Sequence, residues 1–247
     1  MTPLRYLVLT AILVTSGWAQ APASLPAAFE VASVRPNLSG LSSSGTNADN
    51  GYWIATNVTA ISLIRMAFDR ENFQIEGVPG WAESERFDIR GKIPVGEAFN
   101  FGRLQAMLQA LLVDRLQLKF HHETRQQQVD ALTLAKSGIK AKKSDPDEKQ
   151  SSQNNFAGRT AETNRYASLI SDLADTLQPG LGRIVRDETG LTDRYDLHLK
   201  WAPNPDQNSD LPSLPTALED QLGLKLVSKK GPVDIIVVER YEHPSDN

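Results

Sequence analysis

The chain has 247 residues, no cysteine and a formal net charge of −4, from 26 basic and 30 acidic side chains. Without cysteine there is no disulfide framework, thiol chemistry or cysteine metal site, so an apolar core must hold the fold together. A mildly acidic chain has no general attraction for nucleic acid or anionic lipid, and this length allows one domain or two small ones.

The opening MTPLRYLVLTAILVTSGWAQA has an early Arg5, an apolar run from Tyr6 to Val14 and the small-x-small pattern Gly17-Trp18-Ala19. This is the layout of a secretory signal peptide over residues 1–19, with an apolar core far below the ~20 residues that span a bilayer. No cysteine follows the run, which excludes a bacterial lipid anchor. The mature chain is expected to begin near Gln20, to be exported to the periplasm or beyond, and to have no stable membrane insertion once the signal is removed.

FEVASVR (29–35) and GYWIATNV (51–58) read as strands, separated by the polar, turn-rich NLSGLSSSGTNADNG (37–51). TAISLIRMAFD (59–69) spaces Ile61, Leu63, Ile64, Ala67 and Phe68 as a helix, followed by two short strands, FQIEG and RFDIRGK. RLQAMLQALLVDRL (103–116) is a second amphipathic helix through Leu104, Met107, Leu108, Leu111 and Leu112, with LQLKFHHE and VDALTLAK behind it. After the polar run 137–155, NNFAGRTAE (154–162) stands where a strand is needed and YASLISDLADTL (166–177) is helical, with RIVRD and RYDLHLKW following. APNPDQNSDLPSLP (202–215) is again loop-like. LPTALEDQLG (214–223) has Pro215 at a helix start and Gly223 at its stop, leading into LKLVSK and VDIIVVER. The order helix, strand, strand thus occurs four times, which predicts an α+β fold with helices packed on mainly antiparallel sheets, in two similar halves. The expected boundaries are 20–145 for the first half, 146–155 for a linker and 156–247 for the second.

RFDIRGK (86–92) and RYDLHLK (194–200) are nearly the same seven letters. Alternation sends Phe87 and Ile89, or Tyr195, Leu197, Leu199 and Trp201, to one side and the charged residues to the other. Arg86, Asp88, Arg194 and Asp196 are therefore surface candidates for binding, with a framework role as the favoured reading. In DETGLTDRYD (187–196), Asp187 and Thr189 are placed to hydrogen-bond the backbone of a turn at Gly190.

FHHET (120–124) gathers two histidines and a carboxylate, yet on a strand His121 and Glu123 share a face while His122 points away. The two-histidine helical spacing of a zinc site is missing, and His198 or His243 would have to lie close by to complete three ligands. No metal and no cofactor is expected. The sequence has no Gly-x-Ser-x-Gly elbow, dinucleotide fingerprint or phosphate loop, so no catalytic residue is assigned. Trp53, Trp81 and Trp201 read as packing residues before sugar-stacking ones. The run Val233–Val238 is apolar on both faces, as in a central strand.

Five segments together carry a resemblance: FEVASVRPN, VPGWAESERFDI, MLQALLVDRLQLKFHHETR, VRDETGLTDRYDLHLKW and LEDQLGLKLVSKKGPVDIIVVERYEHPSDN. Over nearly the whole mature chain they resemble an exported family of unassigned function, abundant as paralogues in soil acidobacteria. A related domain in that family is fused behind membrane metallopeptidases of the β-lactam-sensor type. The resemblance implies an extracytoplasmic sensing or interaction role and supplies no catalytic residues. The order of elements is also similar to the small N-terminal domains of secretins and TonB receptors, which bind protein partners at the envelope. The expected function is a non-enzymatic binding or interaction module with an envelope protein partner. The alternative is a secreted hydrolase with an acidic or histidine site between the halves.

Overall fold

A computed structural model describes residues 27–96, 99–204 and 210–244, so the signal-peptide stretch lies outside the described residues. In chain order the elements are β1 (Ala32–Pro36), β2 (Gly45–Asp49), β3 (Tyr52–Thr59), α1 (Ala60–Phe68), β4 (Ile75–Glu76), α2 (Trp81–Ser84), β5 (Arg86–Lys92), α3 (Phe101–Arg115) and β6 (Lys119–Leu134). Then follow β7 (Lys142–Lys143), β8 (Ser151–Ala157), β9 (Thr160–Ser168), α4 (Ile170–Leu181), β10 (Val185–Asp187), β11 (Tyr195–Trp201), α5 (Leu214–Ala217) and β12 (Leu224–Arg240). The architecture is α+β, built on three four-stranded sheets ordered β1-β5-β3-β2, β10-β6-β12-β4 and β7-β11-β9-β8.

The outer two sheets are antiparallel and have the same order of equivalent strands. In the central sheet the long antiparallel pair β6/β12 is flanked by β10 and β4, each parallel to its neighbour. Leu116-Gln117-Leu118-Lys119 and Leu222-Gly223-Leu224-Lys225 stand at corresponding points before the two long strands. Counting on from them, Gln126 corresponds to Pro232, and these two residues face each other in the ladder. A pseudo-twofold axis therefore runs between them.

The helices follow from their sequences. Thr59 caps α1 by accepting the Ser62 N–H, and Ala60, Ile61, Leu63, Ile64 and Ala67 form its buried stripe before Asp69 turns left-handed at the end. Asn100 caps α3 through the Arg103 N–H, and Asp172 accepts the Leu169 N–H at the start of α4. The expected helix 214–223 is a single α turn that widens into a π turn over Leu218–Leu222. It stops at Gly223, whose φ is 68°. An added Cβ there would collide with the Gly138 carbonyl oxygen.

The four short strands read from LQLKFHHE, VDALTLAK, LKLVSK and VDIIVVER are instead two continuous strands of 16 and 17 residues. Pro232 lies inside the β6/β12 ladder opposite Gln126, and β4, whose register on β12 is confined to Ile236 and Val237, does not reach it. Each long strand crosses from one half into the other. The first core holds Leu116 and Leu118 together with Ile236, Val238 and Tyr241, and the second holds Leu222 and Leu224 together with Leu132. Both halves are thus completed by the far end of the other's strand.

Candidate functional site

Asp88 and Asp196 face local backbone. Pairing of β3 with β5 slips between Ala55 and Val58, leaving Asn57 in a bulge with φ 57°. Asp88 Oδ1 accepts the Asn57 N–H at 2.9 Å, and Arg86 donates to the Asn57 carbonyl at 3.2 Å. In the other outer sheet the bulge residue is Ala167, at φ 48°. Asp196 Oδ1 lies 3.3 Å from its N–H and Arg194 donates to its carbonyl at 2.7 Å. Asn37, just beyond β1, donates to Asp88, and Ser144, just beyond β7, donates to Asp196. The Ser144 hydroxyl, reinforced by the Ala167 N–H and Lys142, holds the Asp196 carboxyl below its ordinary range. The four candidates form two separate clamps in two different sheets.

His121 bridges Glu239 at 2.7 Å and Glu123 at 3.1 Å on one face of the central sheet, and these carboxylates raise its pKa. His122 lies on the opposite face beside Asp234 at 3.1 Å, near Phe68 and Phe120. His198 meets Asn164, and His243 stacks on Trp81 at 4.1 Å and meets Glu85. The histidines are therefore not gathered at one point. Among the described residues no group of three His, Asp or Glu side chains could hold a metal ion.

Two concave regions, each more than twice the volume of a third of about 240 Å³ beside Phe29 and Met107, bear on a site. One, of about 600 Å³, lies between the equivalent helices α1 and α4. Its charges are largely matched: Arg65 pairs with Glu71 at 2.7 Å, and Arg70 pairs with Asp234 at 2.8 Å. Asp69 and Asp175 also line it. Partial desolvation by the cleft first, then the nearby Asp172 and Asp69, push the Asp175 carboxyl above its ordinary range, although the residue stays exposed to solvent.

The other is an apolar groove of about 650 Å³ in the second half. Trp201 on β11 and Ala161 on β9 make its floor, Leu177 and Leu181 at the end of α4 one wall, and Leu214 and Pro215 the other. Pro179 interrupts the last turn of α4, and Gly180 opens the wall because a Cβ there would meet nothing within 4 Å. Phe156 at the end of β8 forms the rim, edge-on to Trp201 at 6.0 Å, and is 60% exposed. No charged side chain among the described residues lines this groove. A concave surface whose described lining is apolar and uncharged suits an apolar ligand or side chain.

A family model described as a protein of unknown function, DUF3738, matches residues 61–241. The chain belongs to the DUF3738 family. The DUF3738 segment runs from the first turn of α1 to just past β12, so it takes in the second clamp, the cleft and the groove, and of the first clamp Arg86 and Asp88 but not Asn37 or Asn57. No curated protein and no solved structure matches the chain. Among the described residues no helix is long and apolar enough to cross a membrane.

Sequence reasoning missed Phe156 as a rim residue. It sits in SSQNNFA, where every position is exposed and only one large side chain is apolar, so no period-two signal arises. A lone aromatic in an uncharged polar run was the one available sign.

Proposed function

We propose that this DUF3738 chain is a non-enzymatic binding or interaction module that works outside the cytoplasm on an envelope protein partner. The observation that carries the reading is the uncharged groove between β8, β11 and the end of α4, open to solvent and rimmed by the exposed Phe156. A concave apolar groove with a few polar groups is the kind of surface that takes a ligand or a partner's side chain. The apolar run before Ala19 supports export, and the resemblance to a family abundant in acidobacteria, with members fused to membrane metallopeptidases, supports an envelope sensing role. The test compares proteins captured from envelope extract by the purified chain and by Phe156→Asp. Capture that the substitution abolishes, with folding unchanged, is the expected result; equal capture by both proteins overturns the reading.

A second reading, a secreted hydrolase acting between the halves, is favoured by one observation only. Asp175, whose carboxyl is raised by partial desolvation and by Asp172 and Asp69, shares the α1/α4 cleft with Asp69, and a raised carboxyl in a cleft is a candidate acid. Hydrolysis of an ester or glycoside panel that Asp175→Asn removes would reverse the order of the two readings.

A further inference from the structure

We infer that the groove receives an extended peptide segment that adds as a fifth strand to the open edge of β8 and places a bulky apolar side chain beside Phe156. This rests on the groove being a binding site and adds how its ligand is held. Six strands end the three sheets. Five of them have features that discourage further pairing: β1 contains Arg35 and ends in Pro36, β2 ends in Asp49, β7 is Lys142–Lys143, and β4 and β10 have two and three residues. By contrast β8 has seven residues, Ser151–Ala157, all exposed, with neither charge nor proline.

The direction of its free hydrogen-bonding groups follows from the hairpin. β8 and β9 are joined by the two residues Gly158 and Arg159, with Ala157 opposite Thr160. In a two-residue hairpin the pair flanking the turn is hydrogen bonded and the bonded pairs then alternate. Ser152, Asn154 and Phe156 consequently aim their N–H and C=O groups away from β9. Those are three consecutive ladder positions for an added strand, and the last adjoins the groove.

The occupant's chemistry is set by charge. Among the described residues neither β8 nor the groove lining offers a charged partner, so a charged side chain brought there would be desolvated without compensation from them. An uncharged segment of alternating small and β-branched residues with one Leu, Phe or similar residue at the Phe156 end fits both surfaces. A second copy pairing antiparallel through β8 is a poorer fit, since centring two copies on Asn154 places each Phe156 opposite the other's Ser152 and leaves the groove open.

The probe is a phage-displayed library of random heptapeptides selected on the purified chain, with the selected peptides then titrated against three variants. Asn154→Ala removes the side chain that accepts the Thr163 hydroxyl, whereas Asn154→Pro also removes the outward N–H. The expected result is enrichment of uncharged peptides with one bulky apolar residue, little change for Asn154→Ala, and losses of about tenfold or more for Asn154→Pro and Phe156→Asp. Thermal unfolding of each variant checks that folding is retained. Loss with Phe156→Asp but not with Asn154→Pro overturns strand addition while leaving the groove reading intact. Loss with neither variant, or no enrichment at all, overturns both. Concentration-dependent dimers abolished by Asn154→Pro would assign the edge to a second copy instead and overturn the inference.

Discussion

Asp88 holds Asn57 by its backbone, accepting the N–H at 2.9 Å, and the same carboxylate oxygen takes the Asn37 side chain at 2.7 Å. The bond fixes the bulge where β3 turns into α1, so the start of the helix depends on a residue in the neighbouring strand. Asp88→Ala leaves the Asn57 N–H without its acceptor in a largely buried place, a loss of about 1–3 kcal/mol. At roughly 2–4 °C per kcal/mol for a chain of this size, calorimetry should show a clear drop in melting temperature. Asp196→Ala should behave alike. An unchanged melting temperature for both would show that the clamps do not support the fold.

The two bulge residues differ in a way that predicts opposite responses. Asn57 is buried, and its side chain donates to the Leu41 and Ser43 carbonyls at 2.6 and 2.7 Å, so Asn57→Gly should destabilise. Ala167 has no side-chain hydrogen bond to offset a left-handed φ of 48°. An L-residue there costs roughly 1–2 kcal/mol, and glycine's extra entropy takes back about half of that relief. Ala167→Gly should therefore stabilise by roughly 0.5–1 kcal/mol in urea unfolding. A loss instead would mean that the methyl packs usefully, since Ala167 is itself buried.

Much of this framework was legible because it rests on periodicity. The stripe Ile61, Leu63, Ile64, Ala67 is buried as helical spacing requires, and Phe87, Ile89, Tyr195, Leu197 and Leu199 are buried as strand alternation requires. The Asp187–Thr189 turn is also present, with the Thr189 N–H donating to Asp187 at 2.9 Å and Gly190 at φ 73°. What periodicity cannot carry is a partner distant in sequence. Gln126 and Pro232 pair across the axis, yet TRQQQ has no apolar alternation and Gly-Pro signals a turn, so the two long strands read as four. The groove was hidden for a related reason: Leu177, Trp201 and Pro215 lie on three elements, and each alone reads as core.

The crossing strands predict that neither half stands alone. Ile236 and Val238 are buried in the first core, and the Tyr241 hydroxyl donates to the Ala60 carbonyl at 3.2 Å inside it. A fragment of residues 27–145 lacks all three. It should show no cooperative unfolding transition, and the complementary fragment, lacking Leu132, should behave likewise. Mixing the two should restore dispersed amide resonances. A sharp, reversible transition from the isolated first fragment would contradict this.

His121 offers a pH test on the exposed face of the central sheet. Glu123 and Glu239 stabilise its imidazolium, so its folded pKa lies above the ordinary 6.5. For a histidine raised on folding, the stabilising contribution is fully present below the unfolded value and disappears as pH rises through the folded one. Proton resonances of the ring should titrate above 6.5, and Glu239→Gln should move the midpoint down. A midpoint at or below the ordinary value would mean that the bridge does not persist in solution.

Asp175 should show the reverse sign. Its carboxyl is raised above the ordinary 3.8 by partial desolvation and by Asp172 and Asp69, so the folded chain retains a proton that the unfolded chain releases. Stability then falls as pH climbs from the unfolded value through the folded one, and the penalty persists at neutrality. Asp175→Asn removes the charge and keeps an acceptor for the Gln178 amide, which Asp175 meets at 2.8 Å. Asp175 is exposed, so solvent screens the effect, and the variant should melt only slightly higher near pH 7. The difference should shrink towards about pH 4, where the native carboxyl is increasingly protonated. Arg165 acts in the opposite direction, because its positive charge favours the ionised carboxylate. Should the variant melt lower at neutral pH, that attraction outweighs desolvation, and the cleft holds an ordinary ionised aspartate with no tendency to act as an acid.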